Sequence, residues 1–341
     1  MFFLRKYCQS FIIAIFLAFF CYGCSIENSD NLFDYFWQEM DQKYPYFDEK
    51  NIDWNIIHDH YYSRTRNAST EDYIQVFQAI IDSLRDGHVS IRTQETLLSY
   101  NVFFTEIDYF YTGFGNIIYY YGIAPTDVHV NEHVNSCYSM LQLNDNIVYM
   151  QYFTSIEKFC VDTFEQLIKT YSYANGIIID VRHNSGGKEP VNLASCFFYG
   201  VRTVRYEKHK IGKGHNDFTD YFPIQISGNG IIDEKTPVVI LTNKRTYSAA
   251  NFFVAEMKYL PNVTIIGTTT GGGGSPRQTS VLPNGWTYTF PYSRSYDIQY
   301  NSLERGVVPH IEIVLTEEMK QDERQTGIDP VFKVAYQYLL E

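Results

Sequence analysis

Residues 238–250 read VVILTNKRTYSAA, and residues 251–260 continue with NFFVAEMKYL. The apolar run at 238–242 predicts a short buried strand, and the stretch at 251–260 predicts a helix. Ser248 therefore falls in the first helical turn, where backbone N–H groups lack partners and the helix dipole is positive. Such a position suits a serine that attacks a carbonyl and leaves an oxyanion beside N–H donors. A serine that only caps the helix is the structural alternative.

Similar apolar runs recur on both sides of this stretch. They predict strands at residues 147–152, 176–181, 263–266, 286–290 and 311–314. Helical patterns lie between some of them, near residues 162–173 and 190–198. Strands that alternate with helices imply an α/β core with crossover connections. We assign residues 146–341 to this core.

The region before the core is predicted to be helical. Apolar side chains recur at helical spacing over residues 32–84, and Ser69 is placed to cap a helix that ends at Leu84. An Asp-Gly-His stretch then ends the helical pattern. We expect a small helical N-terminal domain over residues 32–92. Residues 93–145, rich in Tyr, Asn and Asp, predict an intervening segment of short strands and loops.

The N-terminus has the layout of an export signal. Two basic residues precede an apolar run at residues 11–22, which is too short to span a bilayer comfortably. Gly23 and Cys24 follow, a pattern typical of lipoprotein cleavage sites, in which the cysteine carries the lipid. We predict a signal peptide over residues 1–23 and a lipidated tether over residues 24–31, which would anchor the protein without a spanning helix. Plain secretion and an uncleaved anchor are the alternatives.

Composition narrows the possible partners. The formal net charge is −12, so nucleic acid is not expected as a partner. Beyond the N-terminal segment the cysteines are Cys137, Cys160 and Cys196, and their spacing fits no metal site. In an exported protein one pair could form a disulfide and leave one thiol over; the spacing does not say which pair.

Further stretches could assist a serine nucleophile. Gly186 and Gly187 follow a predicted strand, and glycines let a backbone turn its N–H groups toward a ligand; an ordinary turn is the alternative. His88 could act as a general base because imidazole titrates near neutral pH, although a lone histidine is more often structural. Glu304 precedes an apolar strand, where acids are usually solvated. Residues 271–274 are four glycines, which we interpret as a loop that shapes a cleft or moves.

The order of these pieces resembles that of the tail-specific, or C-terminal processing, serine peptidases, together with the tricorn core protease and the retinoid-binding repeats of related fold. The matching pieces are LRDGHV at 84–89, IDVRHNSGG at 179–187, LTN at 241–243 leading to SAA at 248–250, IGTTTG at 266–271 and GVVP at 306–309. The resemblance runs from about residue 32 to the C-terminus. It implies a ClpP/crotonase-like α/β core.

The resemblance also implies site residues. Processing proteases use a Ser–Lys dyad, but the position of the lysine is occupied here by Gly273. The tricorn-like branch uses a serine, a histidine and an acid, which match Ser248 as nucleophile, His88 as general base and Glu304, orienting His88 through a water or another side chain. Gly87 stands where the tricorn pattern has a serine.

By the same resemblance, the oxyanion donors would be the backbone N–H groups of Gly186 and Ala249. No cofactor and no metal are implied, and residues 93–145 are short for a full PDZ domain. The sequence thus predicts an exported, lipid-anchored serine endopeptidase of the cell envelope that acts on proteins or peptides. The alternatives are an inactive peptide- or apolar-ligand-binding protein of the same fold, or a Ser–Lys peptidase whose lysine is Lys244, Lys258 or Lys188.

Overall fold

The structure, a computed structural model, describes residues 31–102, 128–129, 138–152, 165, 168–187 and 193–341. The helices in these ranges are α1 (Leu32–Lys43), α2 (Trp54–Thr65), α3 (Thr70–Leu84), α4 (Ala249–Met257), α5 (Glu317–Thr326) and α6 (Pro330–Leu340). The strands are β1 (Ser90–Arg92), β2 (Leu97–Ser99), β3 (Val128–His129), β4 (Tyr138–Gln142), β5 (Ile147–Tyr152), β6 (Gly176–Asp180), β7 (Tyr199–His209), β8 (Phe222–Asn229), β9 (Val238–Thr242), β10 (Val263–Gly267), β11 (Arg277–Val281), β12 (Thr287–Pro291), β13 (Ser293–Tyr296) and β14 (Ile311–Glu312).

The three N-terminal helices begin at polar caps. The predicted start of α3 is found, with the Ser69 side chain accepting from the Asp72 N–H and the Asp72 carboxylate accepting from the Ser69 N–H. This capping box satisfies two backbone donors at once. The buried side chains of α3 lie on one face and include Phe77, Ile80 and Leu84. The sequence periodicity therefore identified the packing face of this helix correctly.

These helices share their core with a distant part of the chain. The antiparallel sheet beneath them has the order β11-β12-β1-β2, so strands from residues 90–99 pair with strands from residues 277–291. Trp286 and Tyr288 belong to the same apolar cluster as Phe36 and Phe77. The predicted domain limits remain a proposal, and this packing crosses them.

A second, largely parallel sheet forms the centre of the molecule. Among the described residues its order is β14-β10-β9-β6-β5-β4-β3, in which the first five strands run parallel and β4 pairs antiparallel with both β5 and β3. Ile177 and Ile179 pack in a cluster with α4, whereas Ile178 packs in a cluster with α6. Because both faces are covered, the central strands are mostly apolar on both faces. The predicted mixed α/β fold with a helical N-terminal region and a parallel core is confirmed.

Most predicted core strands are found within one or two residues of their expected limits, as β5, β6, β9, β10 and β12. The strand expected at 311–314 is shorter, since β14 is Ile311–Glu312. The helix expected near 190–198 is described only as a 3₁₀ helix at Leu193–Phe197. The sheet with order β13-β7-β8 was not predicted.

Some predictions concern residues outside the described ranges. These are the signal peptide at 1–23, the tether with Cys24, most of the segment at 93–145, Cys137, Cys160 and Lys188. Cys196 is described: it is buried and free, and burial raises the pKa of its thiol to about 12. Within the described part of the chain, no helix combines the length and apolar character needed to cross a membrane.

Candidate active site

Ser248 lies between β9 and α4 in an unusual backbone conformation. Its φ is 56° and its ψ is −122°, which non-glycine residues seldom adopt, and its side chain makes no capping hydrogen bond. Instead, its Oγ lies 3.0 Å from Nε2 of His88. Strained backbone of this kind concentrates at functional sites. The geometry disfavours the capping alternative and brings together two side chains that are 160 residues apart in the sequence.

His88 is almost completely buried, with 4% of its surface exposed. Burial, reinforced by the charges of Arg277 and Lys50, lowers the pKa of the imidazole from 6.5 to about 4, although the charge of Asp86 acts in the opposite direction. The ring is therefore neutral at pH 7 and can accept a proton on Nε2. Its Nδ1 is buried and has no hydrogen-bond partner among the described residues.

Asp86 holds the loop that carries His88. Its Oδ1 accepts from the His88 backbone N–H at 2.8 Å, and its Oδ2 accepts from the Tyr44 hydroxyl at 2.8 Å. Asp86 is buried, and it is the carboxylate whose charge raises the pKa of His88. A negative charge in this position stabilises an imidazolium once the ring is protonated.

Glu304, expected to orient His88 through a water or another side chain, has no direct contact with the imidazole. It makes no hydrogen bond to His88; its Oε1 lies 2.6 Å from Nζ of Lys50, and its Oε2 accepts from the Gly274 N–H at 2.9 Å. Lys50 in turn lies 4.0 Å from Oδ2 of Asp86. Burial and the charge of Asp86 raise the pKa of Glu304 to about 7. Any influence of Glu304 on His88 therefore passes through Lys50 and Asp86.

The expected oxyanion donors also need a correction. The Gly186 N–H donates to Oδ1 of Asn184 at 2.9 Å, so in this geometry it is not available to a ligand. The Ala249 N–H is the first of α4 and has no acceptor among the described residues, as helix geometry requires. The next glycine, Gly187, lines the cavity beside Ser248, and its N–H likewise has no acceptor in the described part of the chain. Ala249 and Gly187 are thus the better-placed donors.

Buried polar contacts fix the loop that contains these glycines. Arg182 pairs with Asp180 at 2.7 Å and also with Asp329, the residue that caps α6. The Thr246 hydroxyl donates to the Val181 carbonyl at 2.9 Å, and the Tyr247 N–H donates to the Asn184 carbonyl at 3.1 Å. The loop after β6 and the turn before Ser248 are therefore held as one unit.

The four glycines at 271–274, expected to form a loop that shapes a cleft or moves, form a packed segment. The Ser248 N–H donates to the Gly272 carbonyl at 2.9 Å, and the Tyr46 hydroxyl donates to the Gly274 carbonyl at 2.8 Å. A Cβ atom at Gly273 would lie 2.7 Å from Cζ of Tyr247. The Tyr247 ring therefore occupies the space that a lysine at this position would need.

Lysine is also poorly placed to act as base elsewhere near the site. Lys50 is partly buried, and its charge acts on the pKa of His88. Burial lowers the pKa of Lys50, but the charges of Asp86 and Glu304 outweigh burial and raise it. It is consequently a protonated cation at neutral pH. Lys258 lines a separate cavity with Asp297, and Lys188 lies outside the described residues.

A cavity of about 200 Å³ opens beside Ser248 and His88. Its described lining also includes Tyr100, Tyr247 and Arg277. No role was predicted for Arg277, Tyr247 or Lys50. Tyr247 adjoins Ser248 in the sequence, whereas Arg277 and Lys50 are lone residues with no local pattern, and the fold brings them to the site.

The fold and the site together define a serine-type hydrolase: an α/β core that presents a serine at a helix start, hydrogen-bonded to a buried neutral histidine. The family model for peptidase family S41 matches residues 147–313, and the model for the tricorn protease C1 domain matches residues 28–82. The chain belongs to peptidase family S41 and is a serine-type peptidase, so its substrates are proteins or peptides.

Solved structures agree with this assignment. A protein from Parabacteroides merdae is 28% identical, with a TM-score of 0.79 over 91% of this chain and 96% of that one. Mature CPAF complexed with lactacystin is 13% identical, with a TM-score of 0.64 over 90% of this chain and 98% of its own. The photosystem II D1 C-terminal processing protease is 16% identical, with a TM-score of 0.52 over 88% and 97% of the two chains. The last two likenesses concern the fold alone.

Proposed function

We propose that the protein is a serine endopeptidase in which Ser248 and His88 perform the chemistry. Ser248 Oγ attacks the scissile carbonyl carbon while its proton passes to Nε2 of His88, and His88 then gives that proton to the leaving amine. Water, activated by the same imidazole, hydrolyses the acyl-enzyme and regenerates Ser248. The observation that carries the proposal is the 3.0 Å separation between Oγ and Nε2.

The tetrahedral intermediate needs donors for its oxyanion. The Ala249 N–H at the start of α4 and the Gly187 N–H at the cavity wall would supply them. The Gly186 N–H could join only after its hydrogen bond to Asn184 breaks. Removal of one oxyanion donor costs roughly 10²- to 10³-fold in rate in other serine peptidases.

The test is covalent labelling of the purified protein with a fluorophosphonate, followed by peptide mapping by mass spectrometry. The proposal requires the adduct on Ser248. An adduct on another serine, or no adduct under conditions in which the protein is folded, would refute it. The inactive binding alternative requires that no residue becomes labelled.

Asp86 and Glu304 are proposed to support His88 unequally, Asp86 directly and Glu304 through Lys50. We expect Asp86→Asn to lower kcat by about 10²-fold, because a nearby charge that stabilises the imidazolium is lost, and Glu304→Gln to lower it by about tenfold. The acid limb of the pH–rate profile should move to lower pH in Asp86→Asn, since Asp86 raises the pKa of His88, and should stay in place in Glu304→Gln. Steady-state kinetics between about pH 3 and pH 8 measure both effects.

Both variants remove a carboxylate that contacts Lys50, so thermal unfolding of each is the control for a loss of folded structure. An acid limb that moves in Glu304→Gln and stays fixed in Asp86→Asn would make Glu304 the direct partner of His88. Asp86 would then have no direct role in supporting His88.

We further propose that the protein is exported and anchored at the cell envelope by a lipid on Cys24. The support is the basic start, the short apolar run and the Gly-Cys pair that follows it. Expressed in a bacterium with an alkynyl fatty acid, the full chain should incorporate the label and sediment with membranes, and Cys24→Ser should lose both properties. Cys21→Ser is the matched control, because that cysteine would leave with the signal peptide. Label retained in Cys24→Ser would exclude this anchor.

A further inference from the structure

The cavity beside Ser248 carries one strong positive charge. Among its described lining residues Arg277 is a cation and none is an aspartate or glutamate. His88, which shares the cavity, is neutral at pH 7 because its pKa is lowered to about 4. The chain has a net charge of −12, so the lining of this cavity is positively charged in a protein that is negatively charged as a whole.

Arg277 is not compensated by an acid. Some arginines of the molecule pair with carboxylates, as Arg202 does with Glu234 at 2.8 Å and Arg205 with Glu256 at 3.3 Å. No such pair exists for Arg277 among the described residues, and its side chain is exposed. Arg277 nonetheless lines the same cavity as Ser248, His88 and Tyr247, and its charge adds to the burial that lowers the pKa of His88. The guanidinium therefore lies close enough to the reacting groups to meet a bound substrate.

The backbone under Arg277 is fixed. Arg277 begins β11 and pairs in register with Pro291 of β12, and the sheet continues through β12 into β1, the strand that follows His88. Only the side chain needs to adjust when a ligand binds. A guanidinium fork matches the geometry of a carboxylate and binds it through two parallel hydrogen bonds.

We propose that Arg277 is a specificity-determining residue that binds a carboxylate of the peptide substrate next to the scissile bond. The substrate class is therefore peptides that present either an acidic side chain or a free C-terminal carboxylate near the cleavage position. This inference rests on the proposed function of Ser248 and His88. Those two residues carry out the reaction, and Arg277 would determine which peptides are cleaved.

The experiment compares matched peptides. A peptide mixture that places Asp, Glu, Asn or Gln at each position, with C-termini free or amidated, is digested by the wild-type protein and the products are identified by mass spectrometry. Kinetics are then measured for the best-cleaved pair that differs only by acid against amide. We expect kcat/KM to favour the acid by about tenfold or more, as for a charge-assisted hydrogen bond, and the ratio to approach one in Arg277→Gln.

Arg277→Glu should reverse the preference in favour of Lys at the same position. Arg92→Gln is the matched control: it removes the same charge from an exposed arginine of the same sheet and should keep the acid preference. If kcat/KM falls when the C-terminus is amidated but not when acidic side chains are replaced by amides, Arg277 binds the terminal carboxylate. If kcat/KM falls when the acidic side chains are replaced, Arg277 binds an acidic residue.

Equal cleavage of acid and amide peptides by the wild-type protein, or an acid preference that persists in Arg277→Gln, would overturn this inference while the peptidase mechanism stands. Failure of every peptide to be cleaved, together with no labelling of Ser248, would remove the proposed function and this inference with it.

Discussion

Ser248→Ala is expected to lower kcat for peptide hydrolysis by about 10⁶-fold, the loss seen when a catalytic serine is removed from a serine peptidase. The hydroxyl oxygen forms the covalent bond to the substrate, and no neighbouring group can replace it. KM should change little, because the cavity and Arg277 remain. Single-turnover kinetics and fluorophosphonate labelling measure the loss. Activity within about tenfold of the wild-type value would exclude Ser248 as the nucleophile.

Stability separates this role from that of a helix cap. Because the Ser248 side chain makes no capping bond and instead contacts Nε2 of His88, its removal should lower the free energy of unfolding by about 1 kcal/mol in the wild type and by much less in His88→Ala. Ser248→Gly should be more stable than Ser248→Ala by about 1 kcal/mol, since a φ of 56° suits glycine. Ser69 is the matched control, as its Oγ does accept the Asp72 N–H. Ser69→Ala should cost about 1 kcal/mol and keep the activity.

Local sequence signals predicted the parts of this fold that depend on local physics. Runs such as 176–181 and 238–242 are apolar because both faces of the central sheet are covered, and such runs are visible without a structure. The cap at Ser69 is equally local. The sheet with order β13-β7-β8 escaped prediction because its strands mix buried and exposed residues without a clean alternation.

The site depends on contacts that no local pattern encodes. Ser248 and His88 were paired through the order of motifs that the chain shares with a family, and the structure then brought them within 3.0 Å. The roles of Glu304 and Gly186 were carried over in the same way. In the structure, the Glu304 carboxylate pairs with Lys50, and the Gly186 N–H donates to Asn184. Lys50 lies in no matching stretch, and the stretch 179–187 that contains Asn184 does not show that its side chain binds the Gly186 N–H.

The glycine run at 271–274 illustrates how composition can mislead. Four glycines suggest freedom of the backbone, yet these are packed against Tyr247, Tyr46 and the residues around Glu304. They are small because the turn at Ser248 and the strand-like segment beside it approach too closely for side chains. The same crowding leaves no room for a lysine at Gly273, which is why the base must come from elsewhere.

His88→Ala is expected to lower kcat by roughly 10⁴- to 10⁶-fold, because Ser248 would lose the group that takes its proton. In combination with Ser248→Ala the loss should be no greater than in the serine variant alone, since the two residues act as a unit. His60→Ala, at an exposed histidine on α2, is the matched control and should keep the activity. If a lysine were the base, His88→Ala would retain activity and its pH profile would titrate far above neutrality.

The depressed pKa of His88 gives this prediction a second readout. With a pKa of about 4, about nine-tenths of the enzyme keeps a neutral imidazole at pH 5, whereas an ordinary histidine would keep only a few per cent, so the acid limb of kcat/KM should fall near pH 4. The folded state binds this proton less readily than the unfolded state does. The contribution to stability is therefore complete above about pH 6.5 and is lost as the pH falls toward 4, by about 3 kcal/mol. Urea unfolding of the wild type and His88→Ala at pH 4 and pH 7 measures this contribution. Between pH 7 and pH 4 the free energy of unfolding should fall by about 3 kcal/mol more in the wild type than in the variant. Equal losses would mean that the imidazole is not buried in its neutral form.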